Sequence, residues 1–326
     1  MDKLDIRIYR EFFHARTGPP LGSDIRKSYR GISRKLRIDE VTVRNRIGKL
    51  RASGFLKGWR AVVNPSLLGV KWVQLWLDVR PPCDKAELIK KIASMGGVLT
   101  ISDYYGSALT IILLRENEVH VKEQFELIKN MAHSENPKYA DIPFPQCAIK
   151  LKQTDWEIIK AIQEDTLQSY PLISRKVGVS SKTVKRRLER MIDGNALFLI
   201  PSLNPRALDG AILMDLVVFY TSPESKREVD SRIVRHLDEQ LIRAELYDKE
   251  HGFFNLIIRN VSKAREILDW VRMQSGVGGV FVELVLDRIE LYESLDAEPS
   301  DRTEDIPCNP MPSCYSKFTP VQDSVT

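Results

Sequence analysis

The segment ISRKLRIDEVTVRNRIGKLRASGFL, from Ile32 to Leu56, returns as ISRKVGVSSKTVKRRLERMIDGNAL from Ile173 to Leu197 without a gap. An internal repeat constrains a fold more than any local propensity, because each copy must build the same unit and the units must then pack side by side. Ile32, Ser33, Arg34, Lys35, Thr42, Val43, Arg46 and Leu56 meet identical residues at Ile173, Ser174, Arg175, Lys176, Thr183, Val184, Arg187 and Leu197. The likeness runs upstream, where LDIRIYREFF and TDWEIIKAIQ share amphipathic helical spacing, and downstream, where Asn64-Pro65 is matched by Asn204-Pro205. Only the first copy carries HARTGPPLGSDIR between its first helix and the repeated segment.

After each Asn-Pro the period changes from helical to strand-like. KWVQLWLDV (71–79) and AILMDLVVFY (211–220) are short and rich in β-branched and aromatic residues. Helical segments follow at 84–93 and 222–237, then paired strands in VLTISDYYGSALTIILL and LIRAELYDKEHGFFNLIIRN, further helices at 118–131 and 262–273, and last strands at 146–151 and 279–292. Each half therefore reads as three helices plus a hairpin, followed by β-α-β-β-α-β, the order of a ferredoxin-like split sandwich. The fold class is α+β: two repeats, each a (winged) helix-turn-helix followed by a ferredoxin-like βαββαβ domain. Pro- and Gly-marked junctions place helix-turn-helix domains at 1–64 and 152–204 and ferredoxin-like domains at 65–151 and 205–293. Residues 294–326 are rich in Pro, Ser and acids and poor in aliphatic residues, the composition of a disordered tail.

In the second copy Gly178-Val179-Ser180 breaks one helix, and Ser180 is placed to cap the next. That helix turns Val184, Leu188 and Met191 inward at i, i+4 and i+7, which leaves Ser181, Lys182, Lys185, Arg186 and Arg190 outside. The first copy repeats this with Asp39 as cap, Val43, Ile47 and Leu50 inward, and Glu40, Arg44, Asn45 and Lys49 outward. A basic amphipathic helix by itself is usually only a solvated face. Here it follows a helix and a short turn, it occurs twice at equivalent positions, and between Arg26 and Arg51 the cations are interrupted only by Asp39 and Glu40. A helix-turn-helix sets its second helix in the major groove, where Arg and Asn read base edges while Lys and further Arg neutralise phosphates. Double-stranded DNA is the expected partner.

On these residues each half resembles the Lrp/AsnC family of transcriptional regulators, through the helix-turn-helix ending in TVRNRIGKLRASGFL, the Asn-Pro linker and the ferredoxin-like effector and oligomerisation domain that follows. The resemblance spans about Met1 to Tyr292. It implies a sequence-specific DNA-binding transcriptional regulator with Thr42, Arg44, Asn45, Arg46 and Lys49, and Ser181, Lys182, Thr183, Lys185, Arg186 and Arg187, facing DNA. It also implies a small-molecule effector of amino-acid class at the loops between the middle strands, where Asp103, Tyr104, Tyr105, Gly106 and Gly252 are the candidates. The family's loop places an acid soon after its glycine, and SDYYGSALT and DKEHGFFNL do not. Family members usually carry one copy and dimerise through the sheet domain. A chain with two copies is expected to act as a pseudo-dimer, with further homo-oligomerisation open to it.

Other chemistry finds little support. His14, His120, His133, His236 and His251 are dispersed, and Cys308 and Cys314 have no second ligand pair, so neither metal nor cofactor is expected. GVGGVFV (276–282) follows a helix rather than a strand and lacks the dinucleotide-binding glycine pattern. The apolar runs are too short to span a bilayer, and MDKLDIRIYREFF is charged from its second residue, so a cytoplasmic location is expected. A net charge of +5 permits a polyanionic partner without requiring one. The alternative in a different class is a sirohaem-decarboxylase-like enzyme of haem biosynthesis, built on paired halves of the same kind, for which Arg243 and His251 are the candidate residues.

Overall fold

The computed structural model describes residues 1–11, 29–142, 144–163, 166–245 and 251–291, with Glu118, Arg243 and Glu245 described by backbone alone. The HARTGPPLGSDIR insertion, the tail and its two cysteines lie outside the described residues. Met1–Leu295 form one compact unit.

The first half begins with α1 (Lys3–Arg10), α2 (Tyr29–Leu36), α3 (Glu40–Ala52) and β1 (Leu56–Val63). A 3-10 turn at Pro65–Leu68 leads to β2 (Lys71–Asp78), α4 (Lys85–Ala93), β3 (Val98–Tyr104), β4 (Ala108–Arg115), α5 (Glu118–Ala132) and β5 (Lys138–Ile142). The second half repeats the order: α6 (Gln153–Gln163), α7 (Tyr170–Val177), α8 (Ser181–Asp193), β6 (Leu197–Leu203), a 3-10 turn at Pro205–Ala207, then β7 (Ile212–Tyr220), α9 (Pro223–His236), β8 (Leu241–Glu245), β9 (His251–Ile258), α10 (Val261–Arg272) and β10 (Val277–Glu290). The chain is thus α+β, with a helix-turn-helix and a split βαββαβ sheet in each half.

Two expectations need correction. Each helix-turn-helix carries one strand rather than a hairpin, and the two single strands pair with each other: β1 runs antiparallel to β6, from Leu56 opposite Leu203 to Val63 opposite Leu197. The last strand of the first half is Lys138–Ile142, not 146–151. The later segment is held as a connector instead. Asn64, 0% exposed, donates from Nδ2 to the carbonyls of Pro145 (2.9 Å) and Asn195 (2.8 Å), and the Ala148 amide donates to Gly194 O. Pro145 has no N–H to give a ladder, which makes this stretch a poor strand.

All other strands form one order, β5-β2-β4-β3-β10-β7-β9-β8. Each half contributes the 4-1-3-2 arrangement of its own strands. β10 joins them by length: residues 277–284 pair with β7, and residues 285–290 pass a register shift and pair with β3. Strands that leave one sheet for another do so through such irregularities.

Four apolar clusters follow from this layout. One face of the first sheet packs Leu75, Leu77, Ile101 and Ile111 against Leu88 and Ile92 of α4 and Ile128 of α5. The second sheet does the same with Met214, Leu216, Phe254 and Leu256 against α9 and α10. On the opposite face of the first sheet, Trp72, Leu99 and Ile142 meet Val62 and Phe198 of the β1–β6 ribbon, with Phe144 edge-on to both Trp72 and Phe198. The largest cluster holds both helix-turn-helix units and reaches Leu213, Ile242 and Ile257 of the second sheet, so the heads share one core.

Polar bolts tie the ribbon and heads to the sheets. Glu290 of β10 accepts from Arg60 Nε of β1 at 3.1 Å and from the Ser202 hydroxyl of β6. Buried Arg10 of α1 donates to the carbonyls of Asp238 (2.5 Å) and Leu241 (3.3 Å) beside β8.

Candidate nucleic-acid interface

The two helix-turn-helix units are built by the same rules with different caps. Ser180 accepts the Thr183 amide at 3.1 Å and opens α8, whereas Asp39 stands before α3 without a side-chain cap bond. Gly178 ends α7 at φ 74°, a left-handed conformation that costs a β-carbon-bearing residue energy. Val43, Ile47 and Leu50 of α3 and Val184, Leu188 and Met191 of α8 are buried, as their spacing predicts. Arg44, Asn45 and Lys49, and Lys182, Lys185 and Arg186, are exposed, while Thr42, Ser181 and Thr183 are half-buried. The Thr183 hydroxyl lies 2.9 Å from that of Ser180.

Arg46 and Arg187 occupy a different position. Arg46 bonds to Asp2 and, at 3.1 Å, to Asp5. Arg187 donates to Asp155 Oδ1 at 2.9 Å, and Arg190 to Asp155 Oδ2 at 2.5 Å. Asp155, 0% exposed at its side chain, also accepts the Lys152 amide at 2.8 Å, so one carboxylate both caps α6 and pins α8 to it. Asp5 performs the matching cap in α1, accepting the Asp2 amide at 2.8 Å, while the Asp2 side chain accepts in turn from the Leu4 and Asp5 amides. Burial pushes the Asp2 carboxyl up, but the Asp5 amide and Arg46 outweigh that and hold it below the usual aspartate range. Asp5 and Asp155 therefore fix where each second helix points. Their signal in the sequence is an acid at the same place in LDIRIYREFF and TDWEIIKAIQ, just ahead of each inward aliphatic run.

The ribbon sets the relation between the heads. α3 leads into β1 at Leu56 and α8 into β6 at Leu197, and antiparallel pairing puts those two residues at opposite ends of the ribbon. Seven residue steps of about 3.4 Å separate the two ends of the ribbon by about 24 Å.

The effector candidates are scattered. Lys85 draws three of them together, with Nζ 2.7 Å from the Tyr104 carbonyl, 2.9 Å from the Gly106 carbonyl and 2.7 Å from Asp103 Oδ1. Tyr105 is 72% exposed at the turn. The Tyr104 ring turns inward instead: its hydroxyl donates to buried Asp215 at 2.8 Å, which also accepts from Asn255 at 2.7 Å and lies 3.6 Å from Arg288. Burial, and then Asp215, push the Tyr104 phenol well above its ordinary value. Beside this network, burial and the nearby Asp78 and Asp215 carboxylates lift the Glu283 carboxyl to about 7. Gly252 is not with the others. It pairs with Val218 in the second sheet, where a β-carbon would fall 2.0 Å from the Tyr220 hydroxyl. Among the described residues no cluster of three or more His, Cys, Asp or Glu could hold a metal ion, and no helix is long and apolar enough to cross a membrane.

Comparison with known proteins agrees with the geometry. The AsnC-type helix-turn-helix domain matches residues 151–192, which contain α6, α7 and most of α8. The HTH-type transcriptional regulator Ptr1 of Methanocaldococcus jannaschii is 30% identical over 120 residues, 36% of this chain and 75% of that protein. An uncharacterized HTH-type transcriptional regulator of Pyrococcus furiosus is 29% identical over 141 residues, 41% of this chain and 88% of that protein. Among solved structures, the siroheme decarboxylase NirDL superposes with a TM-score of 0.50 at 11% identity, covering 88% of this chain and 91% of that one, a likeness of fold.

Two substitutions test the roles assigned above. Asp155→Ala leaves Arg187 and Arg190 without their counter-ion; because both keep some access to water, the expected loss is about 1–3 kcal/mol in urea unfolding rather than the larger cost of a sealed pair. Lys185→Ala should change stability by less than about 0.5 kcal/mol, and equal losses in the two variants would refute the pinning role. Glu283 has a folded pKa above its unfolded one, so it favours the fold at low pH and that contribution is lost as pH rises from about 4.5 to about 7. Thermal melts should therefore show Glu283→Gln gaining stability relative to the parent across that interval. A pH-independent difference would contradict it.

Proposed function

The chain belongs to the Lrp/AsnC family of helix-turn-helix transcriptional regulators, and on that premise we propose that one chain presents two DNA-reading heads to adjacent half-sites of one duplex. The observation that carries this reading is the β1–β6 ribbon, whose opposite ends are entered from two exposed basic helices that share one core. The half-sites are inverted relative to each other, as antiparallel pairing requires, and are not identical, because Arg44-Asn45 in one head stands against Lys185-Arg186 in the other. Arg44, Asn45 and Lys49, and Lys182, Lys185 and Arg186, face the groove and its phosphates. Thr42, Ser181 and Thr183 line the approach of each helix N-terminus. Arg46 and Arg187 dock the helices through their aspartates and do not read bases. Two heads on one frame also raise each other's occupancy through effective concentration.

The pseudo-dimer is complete within the chain, and the protein works in the cytoplasm. Control by a small molecule of amino-acid class, as the resemblance implies, is assigned to the β3–β4 turn at Tyr105 and Gly106 rather than to Gly252, which has no space beside it. We read the chain as a regulator and not as an enzyme. His251 lies edge-on to Phe219 at 4.8 Å, a packing contact, and the likeness to the decarboxylase is one of fold.

Hydroxyl-radical footprinting on a duplex selected from a random pool tests the reading. The full chain should protect two segments about one turn apart, with Arg44→Ala weakening one and the Lys185→Ala/Arg186→Ala pair weakening the other. A single protected segment, or both variants weakening the same one, would sink it. A protein that bound no duplex and took up an iron porphyrin would reverse the choice between regulator and enzyme.

A further inference from the structure

The two outward helices expose unlike first turns. In α3 that turn carries Glu40 and Val41, and Val41 is 65% exposed. The matching place in α8 holds Lys182, also exposed. One turn further on, Arg44 is braced from two sides: Glu40 Oε1 accepts from its Nη2 at 3.0 Å, and its guanidinium carbon lies 5.9 Å from the Tyr29 ring centroid. Its counterpart in α8 is Lys185, whose ammonium is 3.8 Å from Glu189, next to exposed Arg186.

These differences carry chemistry. A β-branched apolar side chain held in water on a face with no other large apolar side chain gives up hydrophobic free energy that contact with another apolar group would recover. In the major groove the apolar feature of a base pair is the thymine C5-methyl. An arginine already braced by a carboxylate and an aromatic ring loses less rotamer freedom on binding, and its planar fork suits the paired O6 and N7 acceptors of guanine. Lys182, Lys185 and Arg186 instead place three cations on one face within five residues, a set suited to phosphates whatever the sequence between them.

We propose that the heads divide the work: α3 reads sequence in its half-site, with Val41 on a thymine methyl and the braced Arg44 on guanine, while α8 anchors the chain on the other half-site chiefly through phosphates. The proposal rests on the two-headed reading above and assigns a distinct part to each head. Glu40 and Tyr29 act as positioning residues for Arg44.

Replacement of thymine by deoxyuracil removes only the methyl group, which makes it a clean probe. In equilibrium binding by the full chain, substitution at the thymine facing Val41 should weaken the parent about fourfold, the value of one buried methyl group, and should leave Val41→Ala unaffected. In parallel, the Lys182→Ala/Lys185→Ala/Arg186→Ala variant should flatten the slope of log affinity against log salt by about 0.9 per cation removed while keeping the base preferences of the α3 half-site. All four positions are exposed, and matching thermal melts will show that the variants fold as the parent does. Indifference of the parent to every deoxyuracil in the α3 half-site, an unchanged penalty in Val41→Ala, or an unchanged salt slope in the triple variant would overturn the division of labour alone. Failure to bind any duplex at low salt would overturn the proposed function with it.

Discussion

Antiparallel pairing of β1 with β6 is the interaction on which the rest of this structure depends. Each helix-turn-helix ends in a single strand, and a lone strand leaves a row of backbone donors and acceptors without partners. Pairing across the repeat satisfies those groups and at the same time joins the heads. The Asn64 amide donates to Ala196 O at one end of the ribbon, and the Asn204 amide donates to Phe55 O at the other, so the same Asn-Pro linker closes both ends. With the ribbon fixed, the two heads share a core and the first sheet finds its cover in Val62 and Phe198.

Below the ribbon the halves are less alike, and the reason lies in where the chain goes at the end of each sheet. The second half ends with a long strand that continues past β7 onto β3 and locks the sheets through Ser102, Tyr104, Asp215, Asn255 and Arg288. The first half cannot do the same, because its chain must leave the sheet to begin the second head, and Asn64 and Asn195 hold that exit. At the far edge of the sheet, Arg10 of α1 reaches the β8 backbone instead. Contacts at Glu290, Arg10 and Asp215 thus join the ribbon, the first head and the two sheets into one frame.

The repeat, the helix-turn-helix units and the buried positions of α3 and α8 are legible in the sequence because they depend on spacing within single elements: Val43, Ile47 and Leu50 follow the helical period wherever the helix sits. The illegible part depends on pairing at a distance. No local pattern says that β1 will find a partner in β6 rather than in a neighbouring strand. Spacing leaves Arg46 and Arg187 out of both outward sets and only the resemblance turns them to DNA, while their pairing with Asp5 and Asp155 depends on another helix that no local pattern brings in. Pattern alone misplaces the last strand of the first half because Cys-Ala-Ile-Lys-Leu is the more apolar stretch, while the true strand, KYADI, is a short, largely exposed edge. The effector residues scatter for the same reason: Gly252 aligns by eye with Gly106, but register places it opposite Val218, as Ala108 lies opposite Asp78.

The central claim is that two heads of one chain form a single DNA-binding unit, and its most direct test is the mass of the complex on a duplex carrying the selected site. Mass photometry at nanomolar concentration should find one chain per duplex with both half-sites protected. Two chains per duplex on a perfectly palindromic site, with the second head dispensable, would contradict the account.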